Sequence, residues 1–143
     1  MSRSGYSDDC WGVDLINWRG AVASAIRGKR GQAFLYEMLC AMAAVPEPRL
    51  IAGELEQGGA VCAIGAVGRA RGIDMRGIDV EDREQVAKPF GIAEALAAEI
   101  VFENDEGVFY SRIEAPEERF LRMRSWIERC LIDGCTPPPG EWE

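Results

Sequence analysis

Three basic side chains lie close together in an otherwise acidic sequence. Arg27, Lys29 and Arg30 occur with Gly28 and Gly31 in the stretch SAIRGKRGQAFL. Cations beside a glycine-rich turn suit phosphate binding, because guanidinium, ammonium and backbone N–H groups all donate to anionic oxygens. A P-loop is nevertheless excluded, since it needs the spacing G-x-x-x-x-G-K-[ST] after a strand, and neither condition is met.

Three interpretations of this basic cluster stay open. The glycines favour a bend between two helices, in which the cations complement the C-terminal dipole of the first helix. Alternatively, the cluster contacts an acidic surface of a protein partner, or it binds nucleic-acid phosphates. Direct nucleic-acid binding is disfavoured by the net charge of −8, because a negative field repels the phosphate backbone.

The negative charge is concentrated in the middle of the chain. Residues 74–118 contain 13 Asp or Glu and four Lys or Arg, whereas residues 1–73 carry a net charge of +1 and residues 119–143 are neutral. Five carboxylates open this segment: Asp74, Asp79, Glu81, Asp82 and Glu84. We predict that these five residues form an acidic surface that binds a basic partner. A solvated face without a partner and acid–base catalysis by a carboxylate pair are the alternatives.

Other site chemistries lack their residues or their spacing. The sequence has no histidine, which excludes Ser-His-Asp and Cys-His catalysis and histidine metal sites. Neither the acidic run nor the stretch ENDEG has the ligand spacing of a calcium loop. The stretch GAVGRARG lacks the G-x-G-x-x-G spacing of a dinucleotide site. We therefore expect no catalytic residue, no metal and no cofactor.

The cysteines fit a reduced intracellular set. Five cysteines occur, at positions 10, 40, 62, 130 and 135, and no C-x-x-C pair is formed. Pairing of Cys130 with Cys135 stays open. Cys62 lies at the start of a predicted helix, where the pKa of a thiol can be lowered. Because no histidine base can accompany it, we interpret Cys62 as a core residue.

Length and composition predict one globular domain. The chain has 143 residues, of which 48% are hydrophobic and 28% are charged, and this is enough for a substantial core. No apolar run approaches the 18 residues of a membrane-spanning helix, and the N-terminus lacks the pattern of a signal peptide. We expect a cytoplasmic protein.

Apolar periodicity predicts the elements of the first half. A helical face runs from Leu15 to Ile26, and a second runs from Phe34 to Met42 and stops at Pro46. Gln57-Gly58-Gly59 predicts a turn between short extended stretches at 50–55 and 60–62.

The second half predicts more helices around a loop. A helix over 62–71 precedes a loop over 72–82, and a short helix over 81–88 is capped by Asp79 and ended by Pro89. A helix then runs from about residue 91 to a turn at 104–107, and residues 108–113 are β-prone. The last helix begins near Pro116, and its buried face consists of Phe120, Met123, Trp126, Ile127, Cys130 and Leu131.

These elements predict a mainly α fold: a compact bundle of five or six helices with a minor β-hairpin or short extended element. We expect a single helical domain over 13–134, with a flexible N-terminal tail over 1–12. The stretch 135–143 is expected to form a disordered Pro-rich tail.

Four stretches together resemble a family of small hypothetical proteins encoded by bacteriophages and prophages of proteobacteria. They are WRGAVASAIRGKRGQAFLYEML, GAVCAIGAVGRARGIDM, FGIAEALAAEIVFENDEG and APEERFLRMRSWI. The similarity covers about residues 15–132 in the same order. The family brings no activity or catalytic residues, so the resemblance implies only a setting: a phage accessory protein in the cytoplasm of an infected or lysogenic bacterium.

That setting and the charge pattern together predict a function. Phage accessory proteins of this size often inhibit host defences such as restriction and CRISPR systems. We expect a non-catalytic protein that binds a host defence or nucleic-acid-handling factor through the acidic surface, for instance at a basic nucleic-acid-binding groove. The alternatives are a nucleic-acid-binding accessory factor that uses the basic cluster, or an enzyme with a carboxylate pair or an oxygen-held metal. The oligomeric state stays open, and a homodimer is compatible with the sequence.

Overall fold

A computed structural model describes residues 13–106 and 114–132, with only the backbone for 13–16. These ranges contain six helices: α1 Val13–Arg27, α2 Lys29–Ala43, α3 Ala63–Arg71, α4 Arg83–Phe90, α5 Glu94–Glu106 and α6 Pro116–Cys130. Between α2 and α3, β1 (Glu56–Gln57) pairs antiparallel with β2 (Ala60–Val61). The predicted mainly α fold with a small hairpin is confirmed.

Helices α2 and α5 form the centre of the bundle. Helix α2 packs against α1, α3 and α6, while α5 packs against α1, α3, α4 and α6. The stripe that predicted α2 is buried along its length: Phe34, Leu35, Met38, Leu39 and Met42. Ile100 of α5 is fully buried as well. Burial of such side chains is the main favourable term in folding, so these two helices position the others.

Helices α1 and α2 meet at a corner of a single residue, Gly28. The backbones come so close that a Cβ atom on Gly31 would lie 1.8 Å from the carbonyl oxygen of Ala25. The buried side chain of Gln32 reinforces the corner, because its Nε2 donates to the carbonyl of Ile26 at 2.7 Å. The same Nε2 donates to the carbonyl of Cys130 at 3.0 Å, which ties the end of α6 to the corner.

Several predicted boundaries are wrong, and α4 is the clearest case. It begins at Arg83 and its N-cap is Asp82, not Asp79. Pro89 does not end α4 but lies in its last turn, where it removes only the bond to one exposed carbonyl. The helix ends at Gly91, whose φ of 69° is the left-handed conformation that glycine adopts without strain.

The turn predicted at 104–107 is also wrong, because α5 continues to Glu106. The hairpin turn falls at Gly58-Gly59 as predicted, but the strands are shorter than expected and lie at 56–57 and 60–61. The expected β-prone stretch at 108–113 and the two expected tails lie outside the described residues.

The close approach at the corner predicts opposite effects of two glycine substitutions. Gly31→Ala should lower the free energy of unfolding by about 1–3 kcal/mol, because the new Cβ has to push the two backbones apart. Gly20→Ala should raise it by about 0.5–1 kcal/mol, because no atom lies within 4 Å of the new Cβ and alanine favours the helix. Urea unfolding measures both, and equal effects would contradict the close approach.

Candidate functional site

The acidic segment is a loop with buried apolar anchors that leads into α4. Met75 and Val80 are buried, and Ile73 and Ile78 pack partly against the core. Asp74 and Asp79 stand between these anchors, and the other three carboxylates follow Val80. Asp74, Asp79, Glu81 and Glu84 are exposed, and Asp82 is half-buried. The loop predicted at 72–82 is confirmed, and its shape is determined by where the apolar side chains are buried.

Asp79 and Asp82 also hold the backbone of this segment through hydrogen bonds. Asp79 Oδ1 accepts from the N–H of Glu81 at 2.9 Å. Asp82 Oδ1 accepts from the N–H groups of Glu84 and Gln85 at 3.1 and 3.2 Å. The hydrogen bonds from Gln85 lower the pKa of Asp82, so its carboxylate stays charged and caps α4.

Asp74 forms an ion pair with Arg76, two residues further along the chain. Its Oδ2 lies 2.9 Å from Nη2 of Arg76, and hydrogen bonds from Arg76 lower the pKa of Asp74 to about 2. Asp79, Glu81 and Glu84 lie within three positions of the capping Asp82 along the chain. The structure places the fifth predicted residue in an exposed ion pair.

The basic cluster is divided between two helices. Arg27 lies in the last turn of α1, whereas Lys29 and Arg30 lie in the first turn of α2. Arg27 lies where a cation complements the dipole of α1, whereas Lys29 and Arg30 stand at the positive end of α2. All three are exposed, and no ion pair between described residues includes them.

A buried network at the end of α5 was missed by sequence reasoning. Asn104 Oδ1 accepts from the N–H of Ala63, the first residue of α3, at 3.2 Å. Its Nδ2 donates to the carbonyl of Ile51 at 2.9 Å and to Asp105 at 2.7 Å. Asp105 Oδ2 accepts in turn from the N–H of Gly53 at 3.1 Å. The network joins α5 to α3 and to the connection before the hairpin.

Two arginines of α6 complete this network from the other side. Arg122 donates to the carbonyls of Glu103 and Asn104, at 2.6 and 3.2 Å. Arg119 donates to the carbonyl of Asn104 at 3.0 Å. Both guanidiniums pair with the nearly buried Glu114. The cations thus satisfy the open carbonyls of α5 and complement its negative end.

A carboxylate pair does occur, but not among the five predicted carboxylates. Glu99 of α5 is buried, and both of its carboxylate oxygens lie 3.4 Å from Nη1 of Arg19. One turn later, burial raises the pKa of Glu103, and the charge of Glu99 adds to that rise. Burial and Glu103 raise the pKa of the Cys130 thiol to about 11. Only the i, i+4 spacing of the two glutamates could have indicated the pair.

Cys62 is a core residue, as interpreted from the sequence. It is the N-cap of α3, and its Sγ accepts from the N–H of Gly65 at 3.3 Å. Burial raises the pKa of this thiol to about 12, the opposite of the change that would make it a nucleophile. The adjoining cavity measures about 10 Å³, which leaves no room for a substrate.

The described residues contain no group of three or more Cys, Asp or Glu side chains arranged to hold a metal ion. No helix among them is long and apolar enough to cross a membrane. Comparison of the chain with models of protein families, with curated proteins and with solved structures gives no match.

The raised pKa of Glu103 predicts a pH-dependent gain in stability for Glu103→Gln. Because the folded protein binds the proton more tightly than the unfolded chain, ionisation of Glu103 costs stability above its raised pKa. Glutamine carries no charge, so the variant should be more stable than the wild type at neutral pH. The difference should vanish as the pH falls below the ordinary pKa of glutamate.

Urea unfolding between about pH 4 and pH 8 measures this difference. Glu128→Gln, at an exposed position of the same bundle, serves as the control and should show no such dependence. A Glu103→Gln variant that is less stable at neutral pH would show that Arg122 and Arg129, the nearby cations, outweigh burial.

Proposed function

We propose that this protein is a phage accessory protein that acts by non-catalytic binding to a host protein. The target is a host defence factor or a nucleic-acid-handling factor, bound through the acidic surface of residues 74, 79, 81, 82 and 84. The resemblance of residues 15–132 to phage-encoded proteins supports the setting. The geometry of the acidic surface supports the mode of action.

One observation carries the proposal: four of the five carboxylates are exposed on a segment that buried Met75 and Val80 hold to the core. Met75 and Val80 fix the segment to the core, while Asp79 and Asp82 fix its backbone by hydrogen bonds. Charges held in this way lose little freedom when a partner binds, so more of the electrostatic attraction is retained as affinity. A fixed acidic surface also steers a basic partner toward it over a long range.

Two further properties favour binding over chemistry. The thiols of Cys62 and Cys130 have raised pKa values, so neither is poised as a nucleophile at neutral pH. Four carboxylates of the segment are exposed and the fifth is half-buried, whereas catalytic acids are usually shielded from water. We therefore propose no catalytic role for the acidic surface.

The capping bonds determine which substitutions can test the surface. Replacing Asp82 would remove the cap of α4 and cost about 1 kcal/mol, so a loss of binding would be ambiguous. Glu81 and Glu84 accept none of the hydrogen bonds that cap the segment. Reversal of their charge changes the surface while the N-cap of α4 is retained.

Glu81→Lys with Glu84→Lys should abolish partner binding while the fold is retained. The measurement is affinity capture from a lysate of a proteobacterial host, with quantitative mass spectrometry, followed by titration of the purified partner. We expect at least about a tenfold loss of affinity, the equivalent of about 1.4 kcal/mol. The wild-type interaction should also weaken as the salt concentration rises.

The matched control is Glu117→Lys with Glu128→Lys, which makes the same charge change on exposed residues of α6. Glu117 lies in the first turn of α6 as Glu84 does in α4, so both variants disturb one helix dipole. A partner that binds the two variants equally would contradict the acidic surface as the binding site.

A second candidate function rests on the basic cluster. Arg27, Lys29 and Arg30 are exposed without an ion pair among the described residues. The N-cap of α2 is Gly28, which supplies no side chain to the first N–H groups of that helix. Cations and open N–H groups at one helix end favour an anion, so direct contact with nucleic-acid phosphates is the alternative function.

The nucleic-acid alternative predicts a shift of labelled DNA or RNA in a low-salt gel, and the shift should disappear steeply as salt is added. Replacing the three cations by alanine should remove the shift, whereas the Arg76→Ala control should keep it. An unshifted probe at low salt would exclude this alternative and leave the acidic-surface proposal unaffected.

A further inference from the structure

We propose that a hollow beside the hairpin binds a carboxylate, at a site that is independent of the acidic surface. The hollow has a volume of about 220 Å³ and lies between the α2–β1 connection, the hairpin turn and α3. Its lining combines two arginines with apolar walls: Arg49 and Arg69, with Val45, Pro46 and Val61 among the apolar residues.

The two guanidiniums bring spare hydrogen-bond donors to this hollow. Arg69 uses Nη2 alone, which donates to the carbonyl of Gly59 and to Glu56 Oε2 at 3.4 Å. Arg49 also uses only Nη2, which lies 2.6 Å from Glu47 Oε2. A guanidinium has five N–H donors, so within the described residues each arginine retains donors that have no protein partner. Two such groups on one concave wall form a site for anionic oxygens.

The present partners of both arginines indicate what the site accepts. Each guanidinium already holds a carboxylate, Glu47 for Arg49 and Glu56 for Arg69. All four side chains are at least one-third exposed, and exposed ion pairs of this kind are weak. An incoming carboxylate can therefore use the spare donors or replace one of the glutamates at little cost.

The charge of the hollow favours a monoanion over a phosphate dianion. Two arginines face two glutamates at its edge, so a ligand with two negative charges meets carboxylates as well as cations. The apolar walls of Val45, Pro46 and Val61 suit a short apolar group beside the charged one. These features fit a small carboxylic acid or the C-terminal carboxylate of a peptide, which share the same chemistry.

The experiment is a titration followed by two-dimensional ¹H–¹⁵N NMR of the full chain. The probes are N-acetyl-L-alanine and sodium propionate, with N-acetyl-L-alaninamide as the uncharged match of the first. We expect both acids, and not the amide, to shift the backbone signals of the hollow, namely those of Gly58, Gly59 and Ala60. Tighter binding of N-acetyl-L-alanine than of propionate would identify a peptide C-terminus as the source, and equal binding a free acid.

Substitutions that should weaken or strengthen carboxylate binding test which side chains of the hollow contact the ligand. Arg49→Gln and Arg69→Gln should each weaken binding about tenfold, the usual effect of losing a charge-assisted hydrogen bond. Arg69 also holds the hairpin turn, so Arg49→Gln is the decisive variant, since Glu47 is its one ion-pair partner among the described residues. Glu47→Gln should strengthen binding, because it removes the competing carboxylate.

Matched control variants distinguish binding in the hollow from a general effect of the charge of the protein. Arg76 pairs with Asp74 two residues earlier, as Arg49 pairs with Glu47, so Arg76→Gln should leave binding unchanged. Glu128→Gln makes the same charge change as Glu47→Gln at an exposed site of α6 and should not strengthen it.

Three results would overturn the proposal. They are the absence of shifts in the wild type up to about 50 mM probe, equal shifts with the amide, and equal losses in Arg49→Gln and Arg76→Gln. Tighter binding of inorganic phosphate than of either acid would overturn the assignment to a carboxylate.

Discussion

The fold depends on the side chain of Asn104, which is buried at the C-terminal end of α5. It accepts from the first N–H of α3 and donates to the carbonyl of Ile51. One amide therefore joins α5 to the start of α3 and to the connection before the hairpin. Loss of the bond to Ala63 would leave a buried backbone N–H unsatisfied, at a cost of about 1–3 kcal/mol. Arg119 and Arg122 secure the carbonyls of the same helix end. The hairpin and the hollow beside it therefore rest on this polar junction as well as on apolar packing.

The charged residues of this protein have two kinds of role. Glu114, Arg119 and Arg122 are largely buried and hold helix ends and carbonyls. The carboxylates of the acidic surface are exposed, yet Asp79 and Asp82 also shape the backbone that presents them. A change at Asp82 thus alters shape and charge together, whereas a change at Glu84 alters mainly charge. The same distinction applies to the hollow, where Arg69 supports the hairpin turn and Arg49 does not.

Apolar periodicity predicts the helices that apolar packing holds in place. It does not predict the helix boundaries that depend on hydrogen bonds of single polar side chains. The stripe from Phe34 to Met42 specified α2, because every member of it is buried. The predicted start of α4 is too early, because Asp79 and Asp82 are both able to cap a helix and only the fold selects Asp82. The sequence predicts a turn at the end of α5, since Asn104 and Asp105 favour turns unless their side chains are satisfied inside the fold.

The sequence predicts where the acidic surface lies along the chain, but not the contacts that hold its backbone in place. The charge count located the acidic segment, and the structure confirms that four of its five predicted carboxylates are exposed and the fifth is half-buried. No pattern showed that Asp74 would pair with Arg76 or that buried Met75 and Val80 would hold the loop. The hollow could not be predicted, because Arg49 and Arg69 are 20 positions apart and only the folded chain brings them together.

The side chain of Gln32, in α2, hydrogen-bonds to the C-terminal ends of both α1 and α6. Its amide donates to the carbonyls of Ile26 and Cys130, and its Oε1 accepts from the N–H of Ile132 at 2.9 Å. Because one amide bonds to the ends of both α1 and α6, displacement of the Gln32 side chain breaks the bonds at both ends. The corner at Gly28 thereby couples local unfolding at the ends of these two helices.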